Sequence, residues 1–336
     1  MKTIVTGGAG FIGSHLVDRL LSDGHDVTVL DNFSTGRPQN LAQHGNNPRL
    51  RVVEADVGDF VAIRPCFHDA EWVFHLAALA DIVPSIEHPL DYHRANVDGT
   101  ANVLEAARAV GARRVLYTAS SSCYGIADVY PTPETAPVRP QYPYALTKYV
   151  GEQYALHWAQ VYRLPVASLR LFNVYGPRSR TSGTYGAVLG VFLAQKLAGK
   201  PFTVVGDGTQ VRDFTFVTDV ADAFLTVATS DVLGEVFNVG SGQPASVNRL
   251  VELLGGEAVH IPRRPGEPDR THADIGKIQR QPSWRWILPM MSIEEGLGRV
   301  LSRIQDWREA PVWTPESIAV ATHDWFRYLG SAVTGG

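Results

Sequence analysis

The stretch TGGAGFIGSH, residues 6–15, decides the fold. It follows the β-branched run KTIVT and opens the amphipathic segment FIGSHLVDRLLSDG, which places Gly7, Gly10 and Gly13 between a first strand and a first helix. Glycines there permit a tight turn and close approach of backbone to a ligand, and the helix N-terminus offers N–H groups to a pyrophosphate. Three glycines alone carry little weight. Their strand-turn-helix context at the start of the chain predicts a dinucleotide-binding unit.

Outward from that turn, β-branched runs alternate with Ala/Leu-rich amphipathic segments: DVTVL, RLRVVEA, WVFHLAA, a helix over about 96–109, and RRVLYTAS. A long helix over about Gln141 to Tyr162 and the strand PVASLRLF complete the series. Strand and helix patterns in alternation predict a doubly wound (Rossmann) α/β fold, its parallel sheet covered on both faces. After Gly176 the elements shorten: a helix near 186–198, strands near 202–205 and 211–216, a helix near 218–229 and a strand at EVFNVG. The expected division is residues 1–175 as the dinucleotide domain and 176–330 as a smaller mixed α/β substrate region with some segments returning to the sheet. Ligands of open α/β sheets lie at the carboxyl edge between them. The final GSAVTGG is expected to be a frayed tail.

The chain has 336 residues, 45% hydrophobic, enough for an ample core without staples. A formal charge of −4 with interspersed signs leaves no basic stripe for a nucleic-acid backbone. Two cysteines, Cys66 and Cys123, are too few for a disulfide framework and lack metal-ligand spacing; no metal is expected. No apolar run approaches a signal peptide or a bilayer span, so the expected location is the cytoplasm.

The second strand ends at Asp31, where a carboxylate accepts from the adenosine ribose hydroxyls and repels a 2′-phosphate, favouring NAD over NADP. Arg37 nearby weakens that preference slightly, and a plain turn-capping aspartate is the alternative. Asp56 and the run Leu76-Ala77-Ala78 fall at the carboxyl ends of the third and fourth strands. The small side chains suit a close-lying cofactor or, equally, helix-to-sheet packing.

In YPYALTK, Tyr144 and Lys148 are four residues apart at the start of the long helix, hence on one face. A phenol with a pKa near ~10 is a poor base at neutral pH, but an adjacent ammonium and a cationic nicotinamide favour the phenolate.

The ordered motifs TGGAGFIG, HLAA, SSSCYG, YALTK, LRLFNVYGPR and VRDFTFVTDVADA resemble the extended short-chain dehydrogenase/reductase family, specifically its nucleotide-sugar 4-epimerases, over nearly the whole chain. The resemblance implies a retained NAD, a UDP-sugar substrate before other nucleotide-sugars, and a homodimer paired through the helices near 96–109 and 141–162. It implies catalysis by Ser120, Tyr144 and Lys148. The cofactor set it implies is Gly7, Gly10, Phe11, Ile12, Gly13, Asp31, Asn32, Ser34, Gly36, Asp56, Val57, Leu76, Ala77, Ala78, Asn96, Tyr144, Lys148 and Phe172.

Ser120 is the family's catalytic hydroxyl, four before the Tyr-Gly pair. Ser121 and Ser122 are expected sugar contacts or loop hydrogen bonds. Relatives that dehydrate a hexose carry Asp-Glu at these two positions, and decarboxylating relatives usually carry a glutamate at the second; neither is present. Relatives that make GDP-fucose use a cysteine two before the tyrosine, whereas Cys123 stands one before Tyr124, so it is expected to be a packing residue.

Asn173, Arg212 and Arg264 match the family's pyrophosphate positions, and arginine's planar fork suits phosphate oxygens. Arg270 is a weaker candidate. The segment RSRTSGTYGAV, 178–188, supplies Arg178, Arg180, Thr184 and Tyr185 as expected contacts to uridine and sugar. An arginine there suits a hexuronate carboxylate or a phosphate, and a plain lid is the alternative. The expected activity is C4 epimerisation of a nucleotide-sugar. The rivals are a 4-ketoreductase and, further off, a decarboxylase, a dehydratase or a non-catalytic dinucleotide sensor.

Overall fold

The computed structural model describes residues 1–179, 186–282, 284 and 290–330. Strands β1 (Lys2–Thr6), β2 (Asp26–Asp31), β3 (Leu50–Glu54), β4 (Trp72–His75), β5 (Arg114–Ser120) and β6 (Val166–Leu171) alternate with helices α1 (Phe11–Ser22), α2 (Phe60–Ile63), α3 (Ile82–Glu87), α4 (Pro89–His93), α5 (Gly99–Ala109) and α6 (Pro143–Tyr162). Then follow β7 (Val174–Tyr175), α7 (Val188–Leu197), β8 (Phe202–Val205), β9 (Val211–Arg212), β10 (Thr215–Phe216), α8 (Val217–Ala228) and β11 (Glu235–Val239). Shorter elements close the chain: β12 (Ala245–Ser246), α9 (Val247–Leu254), β13 (Ala258–Ile261), α10 (Gly276–Gln279), α11 (Ile293–Leu301), α12 (Pro315–Ala321) and α13 (His323–Leu329).

Seven strands form one sheet in the order β11-β6-β5-β4-β1-β2-β3, with every neighbouring pair parallel. This is the expected doubly wound sheet. Its strands read as continuous apolar runs because helices cover both faces. On one face Leu16, Val17 and Leu20 of α1 meet Phe224 and Val227 of α8. On the other, Val103, Leu104 and Ala107 of α5 meet Ala155 and Ala159 of α6. Each fully buried Leu or Val in these layers contributes about 1.5–3 kcal/mol. A third core, including Phe192, Phe202, Phe216 and Trp307, lies beneath the segments after β6.

Strand order reverses between β1 and β4, which opens a crevice at their carboxyl ends. The glycine turn after β1 and Leu76–Ala78 after β4 flank it. The EVFNVG strand rejoins the main sheet beside β6, since Phe237 and Val239 complete the same core as α8.

Two elements differ from expectation. The helix expected over 96–109 begins with a wider π-type turn over Arg94–Asp98, where the Thr100 hydroxyl donates back to the Asn96 carbonyl at 2.6 Å. The strand expected over 211–216 splits into β9 and β10 around Asp213. That buried carboxylate accepts from the backbone N–H of Ser241, Gly242 and Ala273, which bends the chain there. No described helix is long and apolar enough to cross a membrane.

Candidate active site

A cleft of about 870 Å³ runs along the carboxyl edge of the sheet. At its floor Gly7 has φ +69°, and a Cβ there would stand 2.7 Å from the Ala77 nitrogen. A Cβ at Gly13 would overlap the Gly7 carbonyl oxygen, so helix and turn close only on glycine. Gly10, Phe11 and Ile12 line the same floor, as do Val57, Leu76, Ala77 and Ala78.

Asp31 closes the far end. Its carboxylate accepts from the N–H of Ala9 and of Phe33, each at 2.9 Å, and burial pushes its pKa up. Each oxygen keeps accepting capacity for a ligand hydroxyl. Asn32 donates to Asp56 at 3.2 Å and accepts from the Ser34 hydroxyl at 2.8 Å, so the three polar residues form one rim. Arg37, the residue that weakened the preference for NAD, donates to the carbonyls of Arg178 and Ser179.

Of the expected cofactor residues, Lys148, Asn96, Phe172 and Gly36 do not line this cleft. Asn96 is fully buried, exchanging hydrogen bonds with the Leu79 backbone at 2.9 and 3.0 Å and donating to Thr147 at 3.0 Å; it shapes the wall instead of facing it. Phe172 packs against Tyr124, with ring centroids 6.2 Å apart. Gly36 lies behind the Asp31 carboxylate, close against its oxygens. In each of the last three a position near the site contributes packing or wall geometry.

A dinucleotide fits the cleft on the chemistry of its donors and on one orphan. Thr118, on β5, lines the cleft with its buried hydroxyl lacking any partner among the described residues. A buried hydroxyl without a bond costs about 1–3 kcal/mol, which a ligand contact removes.

Tyr144 and Lys148 lie on the first turns of α6, which starts at Pro143, a residue suited to the N1 position. Tyr144 lines the cleft. Burial raises its pKa, a hydrogen bond with the Ser120 hydroxyl opposes that, and the charge of Asp81 adds to the rise. Lys148 is buried, with Nζ 4.6 Å from the centre of the Tyr117 ring. Burial lowers its pKa to about 7, against an opposing pull from Glu152. The ammonium alone therefore does not make Tyr144 a phenolate, because both groups sit in the same poorly solvated site.

Beneath this pair lies a buried ion pair. Glu152 accepts from Arg170 Nε at 3.0 Å and from the Ser168 hydroxyl at 2.9 Å, while the Arg170 guanidinium covers the Tyr124 ring at 4.8 Å. The pair fixes α6 against β6 and the turn carrying SSSCYG.

In that turn, Ser120 ends β5 and its hydroxyl accepts from the Ser122 N–H at 3.2 Å. Ser121 and Ser122 line the cleft beside Tyr142, whose pKa burial pushes up to about 12 against an opposing pull from Ser122. Cys123 is buried, and burial pushes its thiol up to about 12, in keeping with its expected packing role.

At the opposite wall, Asn173, Arg212 and Arg264 come together as expected. Arg212 pairs with Glu267 at 2.9 Å, Arg264 approaches the same carboxylate at 3.5 Å, and Asn173 accepts from Thr271 at 2.8 Å. Arg270 stands apart, over the Tyr130 ring at 5.6 Å. Arg178 also lines the cleft, but its guanidinium pairs with Asp18 on α1 and donates to the Asn40 carbonyl at 3.3 Å. It ties the loop after β7 to the dinucleotide half. Arg180, Thr184 and Tyr185 lie outside the described residues, as does most of the expected tail, 331–336.

Cleft residues that sequence reasoning missed include Thr118, Tyr142, Asp81, Glu267 and Trp325. Tyr142 stacks on Tyr144, with planes 7° apart and centroids 6.4 Å apart. The signal for Tyr142 stood inside the quoted motif YPYALTK, and Glu267 lies three residues after Arg264, itself an expected site residue. Nothing in the local pattern marked Trp325.

Fold and site define a dinucleotide enzyme of the extended short-chain dehydrogenase/reductase class, with tyrosine and lysine on one helix. The chain belongs to the NAD dependent epimerase/dehydratase family, whose model matches residues 3–240. It is 38% identical over 310 residues to a UDP-glucose 4-epimerase of Mycolicibacterium smegmatis, covering 90% of this chain and 97% of that one. It is 34% identical over 313 residues to UDP-glucuronic acid decarboxylase 1 of Arabidopsis thaliana, covering 90% and 69%. The crystal structure of a Thermotoga maritima UDP-glucose 4-epimerase with UDP-glucose superposes with a TM-score of 0.84 at 35% identity, covering 91% of this chain and 99% of that one.

Proposed function

We propose that the protein is an NAD-dependent 4-epimerase of a nucleoside diphosphate sugar, a UDP-sugar before others. The observation that carries this is the cleft in which Tyr144, whose pKa the Ser120 hydroxyl pulls down against burial, shares a wall-to-wall space with Arg212 and Arg264. The epimerase relatives named for UDP-glucose support it. The residue pair Ser121-Ser122 sets the chain apart from dehydrating relatives, which carry Asp-Glu there, and from decarboxylating relatives, which usually carry a glutamate at the second position.

When bound, NAD supplies the hydride acceptor and donor, and its positive nicotinamide favours the Tyr144 phenolate. Tyr144 removes the proton from the sugar 4-hydroxyl, and Ser120 holds the 4-oxygen and shares that proton. Lys148, four residues along α6, holds the cofactor ribose and adds positive charge. Asp31, Asn32 and Asp56 bind the adenosine end. Arg212, Arg264 and Asn173 grip the pyrophosphate, so the 4-keto sugar can turn while the nucleotide stays fixed. With the opposite face of C4 presented, Tyr144 then returns the proton to the 4-oxygen. Arg180, Thr184 and Tyr185 remain assigned to uridine and sugar by resemblance. With it goes the proposed functional division at about residue 175, cofactor contacts before it and most nucleotide-sugar contacts after it, with Asn173 and the SSSCYG serines reaching the substrate from the first part.

A 4-ketoreductase built on the same site would need stoichiometric NADH. An epimerase converts substrate with the NAD it carries, and proton spectra of reactions run without added cofactor distinguish the two.

We further propose a cytoplasmic homodimer. On α6 the half-exposed rings of Tyr154 and Tyr162 and the side chain of Val161 flank Trp158, and Val110 is exposed just after α5. An apolar stripe of this length on paired helices suits a second copy of the chain. Light scattering of wild type is expected to give twice the chain mass, and Val161→Asp to give monomer; a monomeric wild type contradicts the pairing.

A further inference from the structure

Trp325 lies far beyond the segment matched by the family model, which ends at residue 240, yet its side chain is 3% exposed and lines the cleft. The short helix α13 delivers it. The indole N–H donates to the Pro265 carbonyl at 2.8 Å, and the Arg264 guanidinium lies 5.4 Å from the ring centre. On its other side the indole meets Tyr142, with centroids 6.3 Å apart. Tyr142 in turn stacks on Tyr144. Leu329 of the same helix reaches Gly266, and α13 packs against α3, on the side of the cleft formed after β4.

One helix thus touches three parts of the site: the loop carrying Arg264 and Glu267, the tyrosine pair at the start of α6, and α3. Guanidinium over indole is a favourable pairing, and an indole with a satisfied N–H is a rigid support. We propose that Trp325 is a positioning residue of the substrate site. Through α13 it holds Arg264, and with it Glu267 and Arg212, in the geometry that grips the diphosphate of the substrate. Affinity for the nucleoside diphosphate part then depends on the C-terminal helix, while the proton chemistry at Tyr144 does not. The inference rests on the nucleotide-sugar reading above.

The test uses the full-length protein with its bound NAD, and UDP alone as the probe, titrated by calorimetry beside steady-state kinetics on a UDP-sugar. Trp325→Ala is expected to bind UDP about tenfold more weakly and to raise KM by a similar factor, with kcat within about threefold of wild type. Trp325→Phe keeps a ring beneath Arg264 and is expected to recover most of the loss; it also carries the test if the alanine variant does not fold. Folded variants with unchanged UDP affinity overturn the inference, as does a fall in kcat with KM and UDP affinity intact. A wild type that binds UDP-sugars but whose Trp325→Phe and Trp325→Ala forms are indistinguishable from it overturns the inference alone. A wild type that binds no UDP overturns the nucleotide-sugar reading itself, and the inference with it.

Discussion

Tyr144→Phe is expected to lower kcat by about two to four orders of magnitude, the range for loss of a positioned acid-base group, with NAD still bound. The substitution removes one oxygen from a ring that stacks on Tyr142 and meets Tyr92 edge-on at 6.5 Å, so the ring's packing survives. What disappears is the proton acceptor whose pKa the Ser120 hydroxyl pulls down. KM should change little, because the phosphate grip lies with Arg212 and Arg264. Measured turnover of the phenylalanine variant near the wild-type rate would remove Tyr144 from the chemistry, and Ser120 with it. Loss of bound NAD in that variant would show that the ring's hydroxyl serves binding instead.

The second large effect concerns the support beneath the site. Glu152→Ala leaves Arg170 with a buried, uncompensated charge, and breaking such a pair costs about 3–5 kcal/mol of stability. Both side chains are almost wholly buried, at 5% and 1% exposure, so water cannot take over the lost contacts. Ser168 loses its acceptor as well. Urea unfolding should show the loss, and the double variant Glu152→Ala with Arg170→Met should recover part of it by removing the stranded charge. A single variant within about 1 kcal/mol of wild type would mean that the pair contributes no more than a surface one.

Much of this architecture was legible because it depends on short, local patterns. The glycine turn needs no distant partner to be read: helix, strand and close approach are set within ten residues, and Gly7 and Gly13 sit where expected. Tyr144 and Lys148 were readable because helical spacing fixes their common face. Where other side chains turn was not legible, for the opposite reason. Asn96 belongs to a cofactor-facing segment, but whether its amide turns to ligand or to Leu79 depends on the loop after β4, seventeen residues away. Arg178 stands in a substrate-like loop, yet Asp18 of α1 lies within reach and pairs with it. Trp325 was invisible because its function is wholly tertiary: an indole on a seven-residue helix acquires meaning only when Pro265, Arg264 and Tyr142 surround it.

The most direct test follows the anomeric protons of a panel of UDP-, GDP-, CDP- and dTDP-sugars by NMR, incubated with purified protein and no added cofactor. The expected result is a new anomeric signal from the C4 epimer of at least one UDP-sugar, approaching a fixed ratio from either side with no loss of carbon dioxide and no accumulation of NADH. If no sugar in the panel changes its configuration at C4, or if conversion appears only with stoichiometric NADH, the protein is not a 4-epimerase.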